Sequence, residues 1–431
     1  MMKNNCLTLL SILFITCTSV KKQPSISTEE VQHQCVQKLT DVIVYDIFTP
    51  PVASRIYAYS NLAYYEALIG NTDSNSIVSK LKGFDPLNRT TISINPTIAA
   101  ATAFMKVAEA LVFSKDSIKK YSDHILAGIV EEDNKKILAS KAWGEAVATM
   151  ILKRAAADNY KKTRGMPRYS VFKEATTWQQ TPPDYVDAVE PNWRLIKPLL
   201  MDSSSQFAPP PPPSFSVIPS SLYQQELMEV YNISKHLSPE QDSIAAYWDD
   251  NPFVTMHTGH LTYANKKTTP VGHWMGIIAI TSRIQKANTK NIAKAYALAS
   301  AAIFDGFISC WDEKFRSKTK RPITVIREYI ESEWSPNLQT PPFPEYTSGH
   351  SVISAAAATV LTKQLGSNIV FTDTTELQYL GMKRTFHSFK AAADEAGISR
   401  LYGGIHYTSA IEQGKLQGIK VGELYTQRFI Y

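Results

Sequence analysis

Thr347-Ser348-Gly349-His350-Ser351-Val352-Ile353-Ser354-Ala355-Ala356-Ala357-Ala358-Thr359-Val360-Leu361 is the stretch from which fold and chemistry can both be read. From Ser351 onward it is small and apolar on every face, which marks a helix buried all round. Gly366 supplies the stop. At the start, a hydroxyl and a glycine precede the apolar run. A helix N-terminus there presents N–H groups without intrahelical partners and the positive end of the dipole, a place for an anion. Two flanking motifs add positive charge: Lys314-x6-Arg321-Pro322 before it, and Ser399-Arg400-x5-His406 after it. If Lys314 and Arg321 share a helix, seven positions return them to nearly the same face, with Pro322 placing Arg321 at its end. Gly403-Gly404 lets the chain turn sharply between Arg400 and His406. Permanent cations packed together are tolerated only around an anion of high charge. The three motifs therefore describe a pocket for a tetrahedral oxyanion, with two histidines available for chemistry.

The rest of the chain reads as helical. Of 431 residues 44% are hydrophobic, enough for a large core. Helices are expected over 29–47, 53–68, 96–112, 136–157, 224–235, 239–248, 291–309 and 351–364, while alternating strand signals are scarce. Ser238-Pro239-Glu240-Gln241 is a capping box with proline at the first helical position. The fold class is all-α, a helical-bundle fold with one catalytic domain over 28–431 and no internal repeat. The net charge of +6 is dispersed, with no basic run of the kind nucleic-acid binders show. The prolines at 209–213, within 202–216, read as a stiff surface connector or a mobile insertion.

The arrangement Lys-x6-Arg-Pro, Ser-Gly-His, Ser-Arg-x5-His resembles the signature of the vanadium-dependent haloperoxidases. They share it with the type-2 phosphatidic-acid phosphatases and the bacterial non-specific acid phosphatases. The resemblance is strongest from about 296 to 424 and looser over the N-terminal helices, including Pro50-Pro51-Val52-Ala53-Ser54-Arg55-Ile56-Tyr57. It implies a helical-bundle fold of the vanadium chloroperoxidase and acid phosphatase type, with vanadate as cofactor (phosphate fits the same pocket). It also implies that Lys314, Arg321, Ser348, Gly349 and Arg400 bond the vanadate oxygens and that His406 ligates vanadium. His350 would be the acid–base residue. Trp311 and Phe343 match aromatic positions beside the vanadate and would form a water-poor halide niche. The substrates implied are hydrogen peroxide and a halide, iodide or bromide.

Two positions depart from the family pattern. Thr347 stands where the first proline of Pro-Ser-Gly-His is usual, a change expected to leave Ser348 and His350 in place. Ala410 stands where many superfamily members carry an aspartate behind the histidine. A phosphatase, whose histidine is the nucleophile, would suffer most from that loss. As a metal ligand, His406 can instead be oriented by a carbonyl or by another acid such as Glu412. Two further readings stay open: a phosphomonoesterase using His406 as nucleophile and His350 as acid, and a surface lipoprotein or inactive relative that only binds an oxyanion.

Other residues need placing. His257, His260 and His273 lack the i, i+4 spacing of helical zinc ligands, so a satisfied or pocket-lining role is expected of them. Asp249, Asp250 and Asp305 are candidates to neutralise a pocket arginine. Lys3 followed by the apolar stretch Leu7 to Ile15 is too short for a membrane span and reads as an export signal over 1–17, followed by a flexible segment over 18–27. Cys17 would be the lipidated residue of a lipoprotein signal and so a membrane attachment; plain secretion is the alternative. The protein is thus expected outside the cytoplasm of a Gram-negative bacterium, in the periplasm, anchored to the outer membrane or extracellular. Cys35 and Cys310 are too few for a disulfide framework.

Overall fold

The computed structural model describes residues 25–430 apart from 71–74, 89–90, 171–173, 175, 253, 259 and 265, with backbone alone for 255–258 and 261–264. The export signal and Cys17 lie outside the described residues. The N-terminal half holds α1 (Thr28–Tyr45), α2 (Pro50–Ile69), α3 (Pro96–Leu111), α4 (Lys115–Ala127), α5 (Asn134–Ala156) and α6 (Tyr160–Arg164). The C-terminal part holds α7 (Leu222–Lys235), α8 (Pro239–Tyr247), α9 (Pro270–Ile284), α10 (Thr289–Ser317), α11 (Pro322–Tyr329), α12 (Gly349–Leu365), α13 (Leu377–Leu380), α14 (Phe389–Tyr402) and α15 (Thr408–Phe429). Two short antiparallel hairpins complete it: β1 (Thr255–Thr258) with β2 (Leu261–Ala264), and β3 (Phe371–Asp373) with β4 (Arg384–Phe386). The all-α class holds.

Local sequence explains most starts. The Thr49, Asn95, Asp133, Asn288 and Ser388 side chains each accept a backbone N–H from the first turn of the following helix. Ser238 and Gln241 form the reciprocal box read from sequence. The core helix α10 packs against α2 on one side and α12 on the other; α12 in turn packs on α14 and α15. α10 is long and apolar enough to cross a membrane, yet 94% of its apolar window is buried inside the protein. α15 approaches α12 through glycines: a Cβ at Gly418 would lie 2.1 Å from the Val352 carbonyl oxygen. The Ala355–Ala358 run of α12 is therefore one half of a small-on-small contact.

One expectation is corrected. Lys314 and Arg321 do not share a helix. α10 runs past the expected stop at 309 as far as Ser317, and Lys318 takes a left-handed conformation at φ 51°. Arg321 is instead the N-cap of α11, with Pro322 at its first position. Proline does mark a boundary, but by opening the next helix rather than closing the last.

Candidate active site

Lys314 comes from the last turn of α10 and is fully buried. Its Nζ donates to the Pro344 and Glu345 carbonyls, both at 2.9 Å. Burial pushes its pKa down to about 7, with Arg321 adding to the effect and Cys310 and Glu345 opposing it. Arg321, also fully buried, donates from Nε to the Phe343 carbonyl at 2.9 Å and from Nη1 to the Ile405 carbonyl at 2.8 Å. Its Nη2 has no partner. Ser348 caps α12, its Oγ accepting from the Ser351 amide at 3.3 Å and hydroxyl at 3.0 Å, which leaves its own O–H to donate elsewhere. Gly349 opens α12, among the N–H groups a helix leaves unpaired.

His406 follows the turn at Gly404, where φ is +72°. Its Nε2 lies 3.0 Å from Arg321 Nη1, and its Nδ1 lies 2.8 Å from Glu345 Oε1. With Nδ1–H donated to the carboxylate, the lone pair sits on Nε2, the state a metal ligand needs. Burial and the neighbouring Arg321, Lys314 and Arg400 hold its pKa well below the usual range. Glu345 was not foreseen from sequence. The expected orienting acid, Glu412, is solvent-exposed, and Glu345 does that work from sixty-one positions upstream. Its Oε1 also accepts the Tyr407 amide at 3.0 Å. The only sequence signal for it was the place of Glu345 inside the 341–346 segment that also delivers Phe343. Ala410 is buried, and its carbonyl takes the Ser348 amide at 3.0 Å. The Thr347 hydroxyl donates to Gln417 at 2.8 Å, and Gln417 donates to Ser309 at 2.8 Å, tying the segment to α10 and α15.

The opposite side is built differently. Arg400 of α14 donates from Nη1 to the Trp248 carbonyl at 2.7 Å, and its Nε has no partner. Burial lowers its pKa while Asp249 and Asp250 oppose that, so both aspartates do offset this arginine's charge. Asp249 is chiefly paired with Lys267, at 2.7 Å. His350 is hydrogen-bonded by the Trp248 carbonyl, and its Nε2 has no partner. Asp250 Oδ2 lies 3.9 Å from that nitrogen. Burial, Arg400 and His273 hold the His350 pKa well below the usual range, so the ring is neutral with its lone pair at Nε2.

Trp311 and Phe343 face each other with ring centroids 5.0 Å apart. Together with Phe307, Gly349, His350, Arg400 and His406 they line one cleft of about 460 Å³ that is partly open to solvent. Lys314 Nζ lies 5.0 Å from the centre of the Phe343 ring. Of the candidate pocket residues read from the sequence, Trp311, Phe343, Gly349, His350, Arg400 and His406 line this cleft; Lys314 and Arg321 lie behind it, each 5.0 Å from the Phe343 ring centre, and Ser348 caps the helix that Gly349 opens.

The remaining candidates divide. Asp305 serves the fold rather than an arginine. Its carboxylate accepts the Leu199, Leu200 and Met201 amides at 2.8, 2.9 and 3.1 Å and the Tyr425 hydroxyl at 3.0 Å. His260 is exposed, and the His257 side chain lies outside the described residues. His273 is buried and fully hydrogen-bonded, to Asp250 and Asp373. The proline segment crosses the surface, where the Pro210 carbonyl accepts the Tyr346 hydroxyl at 2.6 Å. Cys35 and Cys310 are free and buried.

The donor set fits vanadate. Leaving a buried donor unpaired costs roughly 1–3 kcal/mol, more for a charged group. Arg321 Nη2 and Arg400 Nε are both such donors, so the site is built to be completed by an acceptor. Two arginines and a lysine match an oxyanion, and His406 Nε2, which accepts from Arg321 Nη1, offers a nitrogen ligand.

A family model, the VCPO second helical-bundle domain, matches residues 294–430. No curated protein matches. Among solved structures, a bacterial vanadium-dependent iodoperoxidase is 43% identical, with 95% of this chain and 98% of that one covered at a TM-score of 0.87. The holo and apo forms of a bacterial vanadium-dependent chloroperoxidase share this fold at TM-scores of 0.68 and 0.66, with 18% and 17% identity; they cover 89% and 90% of this chain and 93% and 94% of theirs. The resemblance read from three short motifs thus extends over nearly the whole chain, and the protein belongs to the vanadium-dependent haloperoxidases.

Proposed function

We propose that this enzyme uses vanadate and hydrogen peroxide to oxidise a halide, iodide first, to hypohalous acid. The observation that carries the reading is the single cleft in which His350, His406 and Arg400 meet the Trp311–Phe343 wall. A phosphomonoesterase needs a wet, open mouth for its leaving group, whereas aromatic walls exclude water and suit a polarisable halide. Similarity to an iodoperoxidase supports iodide. When bound, vanadate supplies Lewis acidity toward peroxide.

The chain's own residues do the rest. His406 would hold vanadium through Nε2, with Glu345 at Nδ1 keeping the ring in the right tautomer. Lys314, Arg321 and Arg400 neutralise the oxyanion, and Ser348 and Gly349 present N–H and O–H donors to it. His350, neutral with a free Nε2, accepts a proton from the incoming peroxide, and Asp250 beside it favours the resulting imidazolium. Export, by the Leu7–Ile15 signal with Cys17 as lipid anchor, is part of the same proposal; cell fractionation of a Cys17→Ala variant tests the anchor.

The test of function is a paired assay on metal-free protein with and without orthovanadate. One arm follows peroxide-dependent oxidation of iodide and bromide, the other hydrolysis of a chromogenic phosphomonoester. Vanadate-dependent halide turnover is expected. Phosphate release inhibited by vanadate, with no halide turnover, would make the protein a phosphatase instead.

A further inference from the structure

Outside the pocket, one buried cluster is left without a role in the reaction so far described. His273, on α9, is completely buried. Its Nδ1 lies 3.0 Å from both carboxylate oxygens of Asp250, and its Nε2 lies 2.8 Å from Asp373 Oδ2. Glu376 Oε1 lies 3.7 Å from Nδ1 and has no hydrogen-bond partner. A neutral imidazole can donate from one nitrogen only, yet here both nitrogens face acceptor-only carboxylates. The Trp248 ring stacks on the imidazole, centroids 4.4 Å apart and planes 16° from parallel, the arrangement an aromatic face offers a cation. Tyr247 packs edge-on at 5.4 Å, its hydroxyl donating to the Asp373 carbonyl at 3.2 Å.

These contacts converge on three consecutive residues that each serve the pocket. Trp248 lends its carbonyl to Arg400 and to His350. Asp249 offsets Arg400 and pairs with Lys267. Asp250 stands beside His350 Nε2 while holding a left-handed backbone at φ 42°, a conformation non-glycine residues adopt only when the surroundings enforce it. His273 holds Asp250 by its carboxylate, stacks on the Trp248 ring, and is itself anchored on β3 through Asp373.

We infer that His273 is a positioning residue for the reaction: as an imidazolium clamped between Asp250 and Asp373, it fixes the 248–250 segment that aims Arg400 and His350 at the oxyanion. Burial works against charge on the ring, but Asp250 and Asp373 hold its pKa well above the ordinary histidine value. Burial, and then Asp250, push the Glu376 carboxyl up to about 8. The inference rests on the haloperoxidase reading for its turnover arm only; its oxyanion-affinity arm stands without it.

The experiment uses His273→Gln and Asp373→Asn in the full chain. Calorimetry on metal-free protein reads vanadate and inorganic phosphate affinity, and steady-state kinetics reads kcat and KM for iodide. Removing a residue that orients the groups of a metal site costs about 10–100-fold. The expected result is a fall in kcat of about tenfold or more, oxyanion binding weakened several-fold, and an iodide KM unchanged, because the Trp311–Phe343 wall is untouched. If His273→Gln fails to fold, Asp373→Asn, which keeps an acceptor on Nε2, gives the same readouts. A folded variant with a lowered Tm but with kcat and oxyanion affinity within twofold of the parent would overturn the inference, leaving His273 a structural residue. Should the parent show no halide turnover at all, the function proposal fails by itself, and the affinity arm still decides this one.

Discussion

The two histidines of the site stand in contrasting surroundings. His406 has both ring nitrogens engaged, one by Glu345 and one by Arg321. His350 keeps a buried Nε2 with no partner, and its nearest carboxylate stands off at 3.9 Å. In the first, Glu345 fixes the tautomer and direction, so that Nε2, here an acceptor for Arg321, is the nitrogen a ligand role would use. The second leaves a lone pair free to take and return a proton, which a general base requires. Both rings are held neutral by burial among the same cations, so what separates their roles is hydrogen bonding rather than charge.

The sharpest way to break that contrast is His350→Ala. Removing a general base costs about 10²–10⁴ in rate, so kcat for iodide oxidation should fall by that much while the vanadate dissociation constant moves only a few-fold. Equal losses in both quantities would make His350 a second vanadate anchor and erase the distinction.

Glu345→Gln acts on the other histidine. Its amide can accept from Nδ1–H only in one orientation and carries no charge, so vanadate affinity should drop about 10–100-fold, as for other outer-shell partners of a ligating histidine. Adding Ala410→Asp to that variant sharpens the point, since the family's usual aspartate position would then carry the missing carboxylate. Partial recovery of affinity is expected; an unaltered affinity in Glu345→Gln alone would show that Arg321 suffices to orient the ring.

The smallest effect concerns Lys314. With no oxyanion bound its pKa is about 7, below the usual lysine value because burial disfavours the charge. A bound oxyanion favours the protonated form and raises that pKa, so binding takes up a proton above pH 7. Affinity should therefore weaken as pH climbs from about 7 toward 9. Lys314→Arg, cationic throughout, should show a shallower decline over the same interval by calorimetry. Parallel pH profiles for the two proteins would mean that Lys314 stays charged in the empty site.

Much of this site was legible because its groups sit in short motifs with local meaning. Ser348-Gly349 before an alanine run dictates a cap and a buried helix, and both are present. The path from Lys314 to Arg321 was less legible, because spacing alone cannot distinguish one helix from two joined by the left-handed Lys318. His273 is hydrogen-bonded as expected, but its partner Asp250, like the partnership of Glu345 with His406, was not legible for a further reason: each acts across a long sequence separation, and nothing local reveals the partner. α15 escaped notice because Gly414, Gly418 and Gly422 interrupt the apolar face that Ile411, Val421, Tyr425 and Phe429 mark. Asp305 looked like a pocket acid and proved to cap the loop at 199–201, a role readable only from the backbone amides that it meets.

The most direct measurement is vanadate titration of metal-free protein by calorimetry, with His406→Ala and His350→Ala run beside the parent. The account predicts that the parent binds one vanadate, that His406→Ala loses high-affinity binding, and that His350→Ala retains it. Loss in His350→Ala with retention in His406→Ala would reverse the two roles and contradict it.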